Sequence, residues 1–377
     1  MTRQAQHLLY RLNDLMPSPH KKRTFRSVLL AFLTPHRSAL PEHNPLCSAS
    51  SISRFLNHYD WPTRRLVRLT RKVMLEWLLE ASKYGRHSYL KVIIDVTCVE
   101  KTGRFLGLGS WINAMNAKTG LHLVVLYLEL NRVRVPWNFR VWNGKDTASP
   151  MKLGLRMLSS LPRVLTEHSR AQVVVLADAW FASNAFLEGV HARGFRAVVA
   201  IREDRRTVQD WPLTRLKRKG TEVMLKGLSI PVWVSWFTIT FANGDKQKRF
   251  VVSTAAIAGS RLARLGRSRW KIEAFFKTIK YTFALRKAAQ GTRLGMLRFL
   301  LLSLLAFVLA FASQPAPTSG EVLAWGEAAQ QASLIFLPVM LTLGLLADLE
   351  RRRSLLESLG MSIHIHRFRR LAHNCKI

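Results

Sequence analysis

Two short apolar runs, each tied to an aspartate, restrict this chain more than anything else in it. Tyr89–Val96 reads YLKVIIDV, and Gln172–Ala177 reads QVVVLA with Asp178 directly after it. Nearly continuous β-branched and aliphatic runs of this length suit strands buried on both faces of a sheet. An acid in such a strand is expensive unless it is paired or bound to metal. If the two strands are parallel neighbours, Asp95 and Asp178 come side by side at their C-terminal ends, the edge where open α/β sheets place their sites. Like charges that close need a counter-ion, and oxygen-only ligands favour Mg²⁺ or Mn²⁺.

The surrounding pattern extends the sheet. Phe105–Met115 and Leu121–Leu130 read as strands, with Lys118–Gly120 as the turn between them. Helical spacing covers about 149–166 and 183–193, and Arg196–Ile201 is a further strand. The order βββαβαβ is that of the RNase H-like fold, a mixed sheet with helices on both faces. Residues 203–256 break the alternation with strand-like pieces at Thr221–Leu225, Pro231–Phe241 and Lys248–Thr254. Residues 260–287 then read as one long basic helix.

The expected fold is therefore α/β. It has an RNase H-like mixed sheet with flanking helices, a β-rich insertion before the last core helix, and helical N- and C-terminal segments. The expected division is 1–86 as a helical DNA-binding domain and 87–202 as the first part of the core. The insertion is 203–258, the last part of the core 259–312, and a helical basic region 321–377.

Charge points to the partner. The chain carries 58 Lys+Arg against 23 Asp+Glu, a formal charge of +35 over 377 residues. A field of that size attracts polyanions, nucleic acid first and an anionic membrane surface second. Basic residues cluster at Lys21–Arg23, Arg215–Lys219, Lys246–Arg249, Arg261–Lys271 and Arg351–Arg353. Cys47, Cys98 and Cys375 are scattered without a CxxC pair, which gives no disulfide framework or zinc ribbon and suits a reduced, cytoplasmic protein. The apolar runs Phe299–Ala312 and Leu334–Ala347 fall short of the about 20 residues a membrane span needs, so both read as buried helices with no membrane partner.

A third acid completes the constellation. Glu273 lies within RSRWKIEAFFKTIKY, where Ile272, Phe276, Ile279 and Phe283 recur every three or four residues as a packing stripe. Arg269, Glu273, Lys277 and Lys280 form the neighbouring stripe. That stripe by itself suits surface ion pairs first, and it can also hold a metal-binding carboxylate beside cations that grip phosphates.

The spacing R-x3-E-x6-K at Arg269, Glu273 and Lys280 resembles the Y-R-E-K signature of DDE transposases of the insertion-sequence-4 group. The segments DVTCVEKTG around Asp95 and LADAWFASNAFLEGVHARGFRAVVAIRED around Asp178 are similar to the same family, and the likeness covers about 88–312. The signature's tyrosine falls at Gly266, a departure. The resemblance implies that Asp95, Asp178 and Glu273 are catalytic and hold two Mg²⁺ ions, with Mn²⁺ able to substitute. It implies that Arg269 and Lys280 contact DNA near the cut, and Lys277, a cation on the same stripe, is a further candidate for DNA binding. It further implies a homodimer paired across two DNA ends, and it leaves a hairpin intermediate open.

Trp180, two residues after Asp178, is a candidate for stacking on DNA. Phe181 is a weaker one, and Trp137 and Trp142 suit either the DNA path or the core. Asp146 reads as the cap of the helix starting near Ser149. The activity implied is cleavage of element ends in double-stranded DNA and their joining to target DNA. The rival readings are a transposase-derived DNA-binding protein without catalysis, a general RNase H-like nuclease or resolvase, and a basic membrane-associated protein.

Overall fold

The computed structural model describes residues 2–34, 47–83, 89–101, 103, 105–166, 173–240, 243–314 and 324–362. Gln172, most of the 313–320 loop and the His-containing tail from 363 onward lie outside them.

Four helices open the chain: α1 (Thr2–Asp14), α2 (Pro19–Leu33), α3 (Ala49–Asn57) and α4 (Thr63–Ser82). Ser48 caps α3 by accepting the Ser51 backbone N–H at 3.3 Å, as its position before the helix predicts. The sheet follows with β1 (Leu90–Glu100), β2 (Ile112–Met115), β3 (Lys118–Leu130) and β4 (Val133–Val141). Next come α5 (Pro150–Leu158), α6 (Arg163–Thr166), β5 (Val173–Ala177), α7 (Asn184–His191) and β6 (Arg196–Ile201). The insertion supplies β7 (Thr221–Val223), β8 (Val232–Thr240) and β9 (Lys246–Ser253). The chain then runs through α8 (Gly259–Ser268), α9 (Lys271–Tyr281), α10 (Arg293–Ser313), α11 (Trp325–Arg351) and α12 (Arg353–Ser358).

The strands form one nine-stranded mixed sheet in the order β2-β3-β1-β5-β6-β9-β8-β7, with β4 also on β3. β1 is antiparallel to β3 and parallel to β5, and β5 is parallel to β6. This is the RNase H-like order expected. The insertion strands extend the same sheet, because β9 pairs with β6. All five residues of β5 are buried, as its unbroken apolar run requires.

Several local expectations need correction. Leu106–Trp111 is a 3₁₀ turn and not strand, because Gly107 packs against the backbone of Gly291 and Gly109 takes φ +49°. Lys118–Gly120 belongs to β3. The turn is one step earlier, at Asn116 and Ala117, both with positive φ. The segment around Trp137, for which no strand is expected, is β4, which pairs with β3 through a register shift at Leu126/Tyr127. Trp137 and Trp142 are accordingly core residues. Ser149 itself caps α5, accepting from the Lys152 N–H, and Asp146 stays exposed.

The two apolar helices behave differently. α10 is the spine of the helical layer. It packs on α1, α2, α3, α4, α9 and α11, and Arg298 within it donates to the carbonyls of Phe55, Leu56 and Tyr59. The N-terminal helices therefore rest on the core's own last helix. α11 runs through Pro338 and buries only the face with Ala329, Ala332, Phe336 and Met340. Leu334, Leu341 and Leu345 are exposed, so the second run is not a buried core helix in this chain. Both helices are long and apolar enough to cross a membrane by length and composition.

Candidate active site

The register of the sheet sets the first two acids. Ile94 pairs with Ala177 across β1 and β5, so Asp95 and Asp178 are the next residues on adjacent parallel strands. Asp95 is buried within β1. Its Oδ1 accepts the Val96 N–H at 2.7 Å. Asp178 sits just past β5 and caps a short 3₁₀ turn, its Oδ1 accepting the Trp180 N–H at 3.0 Å.

The third acid comes from the other side. The segment 259–281 is not one helix, because α8 stops at Ser268 and α9 starts at Lys271. At the break the bonds tighten to the i→i−3 pattern, with Ile272 N–H to the Arg269 carbonyl and Glu273 N–H to the Trp270 carbonyl, both 3.1 Å. No proline or glycine stands at the break. Two side-chain tethers fix it. Arg269 Nη1 donates to Asp95 Oδ2 and Nη2 to Glu273 Oε1, each at 2.8 Å. Lys271 Nζ donates to Glu129 Oε1 at 2.6 Å, and the same oxygen accepts Lys91 at 2.7 Å. Below the break, Ile272, Phe275, Phe276 and Ile279 bury the inner face of α9.

The electrostatics follow from this crowding. Burial and the neighbouring Asp178 push Asp95 up to about 7, against the pull of Arg269. Burial also raises Asp178, again opposed by Arg269. Burial would raise Glu129 too, but Lys91 and Lys271 hold it below the usual carboxylate range. Glu129 is thus a strut and not a ligand: Oε1 takes both lysines, and the buried Oε2 has no hydrogen-bond partner, with Arg134 Nε 3.8 Å away.

A cleft of about 230 Å³ opens over the two aspartates, lined also by Thr97, Cys98, Asn116, His122, Trp180 and Lys280. Burial depresses the Lys280 ammonium. Lys277 is exposed on the outer face of α9. Trp180 is half-buried and packs edge-to-face on Phe181, which is wholly buried against Phe186. Asn116, Lys118 and His122 reach the cleft from β3 and the turn before it. Ala117 takes a left-handed conformation, which an alanine does not signal in the sequence, so that side of the cleft is not legible there.

Of the residues expected from sequence, Asp95, Asp178, Trp180 and Lys280 share this cleft. Glu273 and Arg269 join it through the ion pair, and Lys277 stands apart. The donor set suits a hard divalent cation. The acids offer oxygen, with two crowded carboxylates whose charge a cation would relieve, while His122 Nε2 on the cleft wall is engaged by the Asn113 carbonyl at 2.9 Å. As they stand, no three His, Cys, Asp or Glu side chains among the described residues surround one point closely enough to hold an ion. The guanidinium of Arg269 lies between Asp95 and Glu273 instead.

Gly266 has a structural explanation. A Cβ there would lie 2.6 Å from Val251 Cγ1 and 3.3 Å from Phe237 Cε1. The α8 face that would carry a tyrosine is pressed onto β8 and β9.

Fold and acids together define a class, the RNase H-like domains with an Asp-Asp-Glu set of carboxylates. Residues 86–309 match the transposase DDE domain. That is more than half of the chain, and the chain belongs to this family. Among solved structures it is similar to piggyBac transposase in a synaptic complex with hairpin DNA. The identity is 10% and the TM-score 0.49, over 94% of this chain and 79% of that one. No curated protein matches it.

Proposed function

We propose that this chain is a transposase of the insertion-sequence-4 type, which cuts the DNA ends of its element and joins them to target DNA. The observation that supports this most is the register placing Asp95 and Asp178 side by side, with Glu273 tied to Asp95 through Arg269. Asp95, Asp178 and Glu273 would hold two Mg²⁺ ions, or Mn²⁺, which when bound supply an activated water or 3′-hydroxyl and stabilise the leaving oxygen.

The protein's own groups position the strand. Lys280 lines the cleft beside the acids and can hold a phosphate next to the cut. Lys277, exposed one turn away, holds the next phosphates, and Arg269 grips a phosphate through its planar fork. Trp180 offers its ring to a base displaced at the cut. The apolar walls of β1 and β5 keep the aspartates away from bulk water, which strengthens every charge interaction there. The same reading includes work as a homodimer on two ends, in the cytoplasm.

The test is cleavage of labelled DNA carrying the element's own terminal repeats, in Mg²⁺, comparing wild type with Asp178→Ala. Cleavage by wild type alone, with binding kept in the variant, supports the reading. Binding without cleavage in either Mg²⁺ or Mn²⁺ would favour an inert DNA-binding descendant, a reading to which Gly266 already lends some weight.

A further inference from the structure

We propose that Arg269 is a plug on the metal ligands: without DNA its guanidinium holds the carboxylates of Asp95 and Glu273 together, and an arriving DNA phosphate draws it away and frees them for metal. This rests on the transposase reading of the site.

The geometry carries the argument. Both oxygens of Asp95 are engaged, Oδ1 by the Val96 N–H and Oδ2 by Arg269. A cation can reach that carboxylate fully only by replacing the arginine. The other arm of the fork takes Glu273 Oε1, so one residue blocks acids from both sides of the site. The Arg269 side chain is 12% exposed and the Glu273 side chain 56%. The buried end of the plug is therefore well shielded, and the outer end opens to the face from which DNA must come.

Two features make the exchange feasible. Arg269 lies in the break between α8 and α9, so its side chain can swing without unwinding a helix. The break keeps a second anchor, Lys271 on Glu129, which holds α9 in place when Arg269 lets go. A guanidinium also binds phosphate through the same two-pronged pattern that it uses on carboxylates. Lysine has no such fork and cannot span both acids. Linkage makes the effect reciprocal: DNA that removes the plug tightens metal, and metal tightens DNA equally. The device would keep the enzyme from becoming a metal-loaded nuclease before DNA is seated.

The test measures Mn²⁺ bound to the full-length protein by electron paramagnetic resonance, with and without a short DNA duplex. Wild type, Arg269→Gln, Arg269→Lys and Asp178→Ala are compared, and circular dichroism checks that each is folded. Wild type should bind Mn²⁺ weakly alone and about tenfold or more tightly with duplex. Arg269→Gln should reach the tighter affinity without DNA and gain little from adding it. Arg269→Lys, which keeps the charge and lacks the fork, should fall between the two and serves if the glutamine variant fails to fold. Unchanged or weaker Mn²⁺ binding in DNA-free Arg269→Gln or Arg269→Lys would overturn the plug. If Asp178→Ala binds Mn²⁺ as wild type does in every condition, the acids are not the metal site, and the transposase reading of the site falls together with the plug.

Discussion

The two halves of the site are built by different means. On the sheet side, Asp95 sits inside the β1/β3 ladder and cannot move without breaking it, and Asp178 is held at the end of β5 by the last β1/β5 pair and by its bond to the Trp180 N–H. On the helix side, Glu273 rides on a helix that starts at a break and is steered by side chains, Arg269 on Asp95 and Lys271 on Glu129. The acids differ electrostatically in the same way. Asp95 is held in a place that disfavours its charge. Glu129, the anchor of the helix side, is held in one that favours it. A rigid, strained half therefore faces a tethered half that can adjust, which is what a centre needs if it must accept DNA and metal between them.

The largest effect should come from breaking the rigid half. Asp95→Asn or Asp178→Asn should lower DNA cleavage on the order of 10³-fold, the scale of losing one main charge-stabilising group. Gel-shift binding should be kept. The same change at Asp95 should also stabilise the fold, and the sign can be worked out. Its ordinary value is 3.8 and its folded value about 7. Between these, the folded chain holds a proton that the unfolded chain has lost. Stability is thus fully present below about pH 4 and falls as pH rises through 7. In metal-free protein, Asp95→Asn should melt higher than wild type at pH 8, by at most about 4 kcal/mol, with the gain fading toward pH 4. Equal melting of the two proteins at pH 8 would mean that the rigid half carries no such strain.

Breaking the tethered half should do the opposite. Glu129→Gln leaves Lys91 and Lys271 without their shared carboxylate and should cost about 3 kcal/mol in denaturant unfolding near neutral pH. Because the folded value of Glu129 is depressed, its contribution is present above the ordinary carboxylate range and is lost as pH falls through the folded value. The variant should therefore approach wild type in strong acid, where Asp95→Asn also converges on it. A Glu129→Gln protein as stable as wild type at pH 7 would remove the contrast between the halves.

The two halves were also unequally legible in the sequence. β1 and β5 announce themselves because a strand buried on both faces must be apolar throughout, and an aspartate interrupting or ending it stands out. The Glu273 helix was readable as a helix from Ile272, Phe276 and Ile279, but its break was not. Nothing in Ser268-Arg269-Trp270-Lys271 disfavours helix locally, and the tethers that fix it reach to Asp95 and Glu129, far away in sequence. β4 was hidden by Pro136 and by the register shift opposite it, which disturb the alternation that marks a strand. The exposed face of α11 is not legible in the sequence, because the length of an apolar run says how much can be buried and not which neighbours exist to bury it.

The smallest predicted effect concerns the seam between the halves. α8 leads into the break and lies on the insertion strands, and Gly266 sets how closely it lies. Gly266→Ala would put a methyl 2.6 Å from Val251 Cγ1, well inside contact distance, so helix, strand or the Val251 side chain must shift. Overpacking of this kind costs about 1–3 kcal/mol, and the better helix propensity of alanine returns about 1. The net expectation is a loss of roughly 1 kcal/mol in stability. Cleavage should fall further than that loss explains, because α8 carries Arg269 at its end and a displaced α8 misplaces the fork between Asp95 and Glu273. Val251→Ala in the same chain should make room for the new methyl and recover cleavage in Gly266→Ala, a double-mutant cycle with favourable coupling. Additive losses would mean that α8 does not set the position of Arg269, and that the helix side is steered by Lys271 and Glu129 alone.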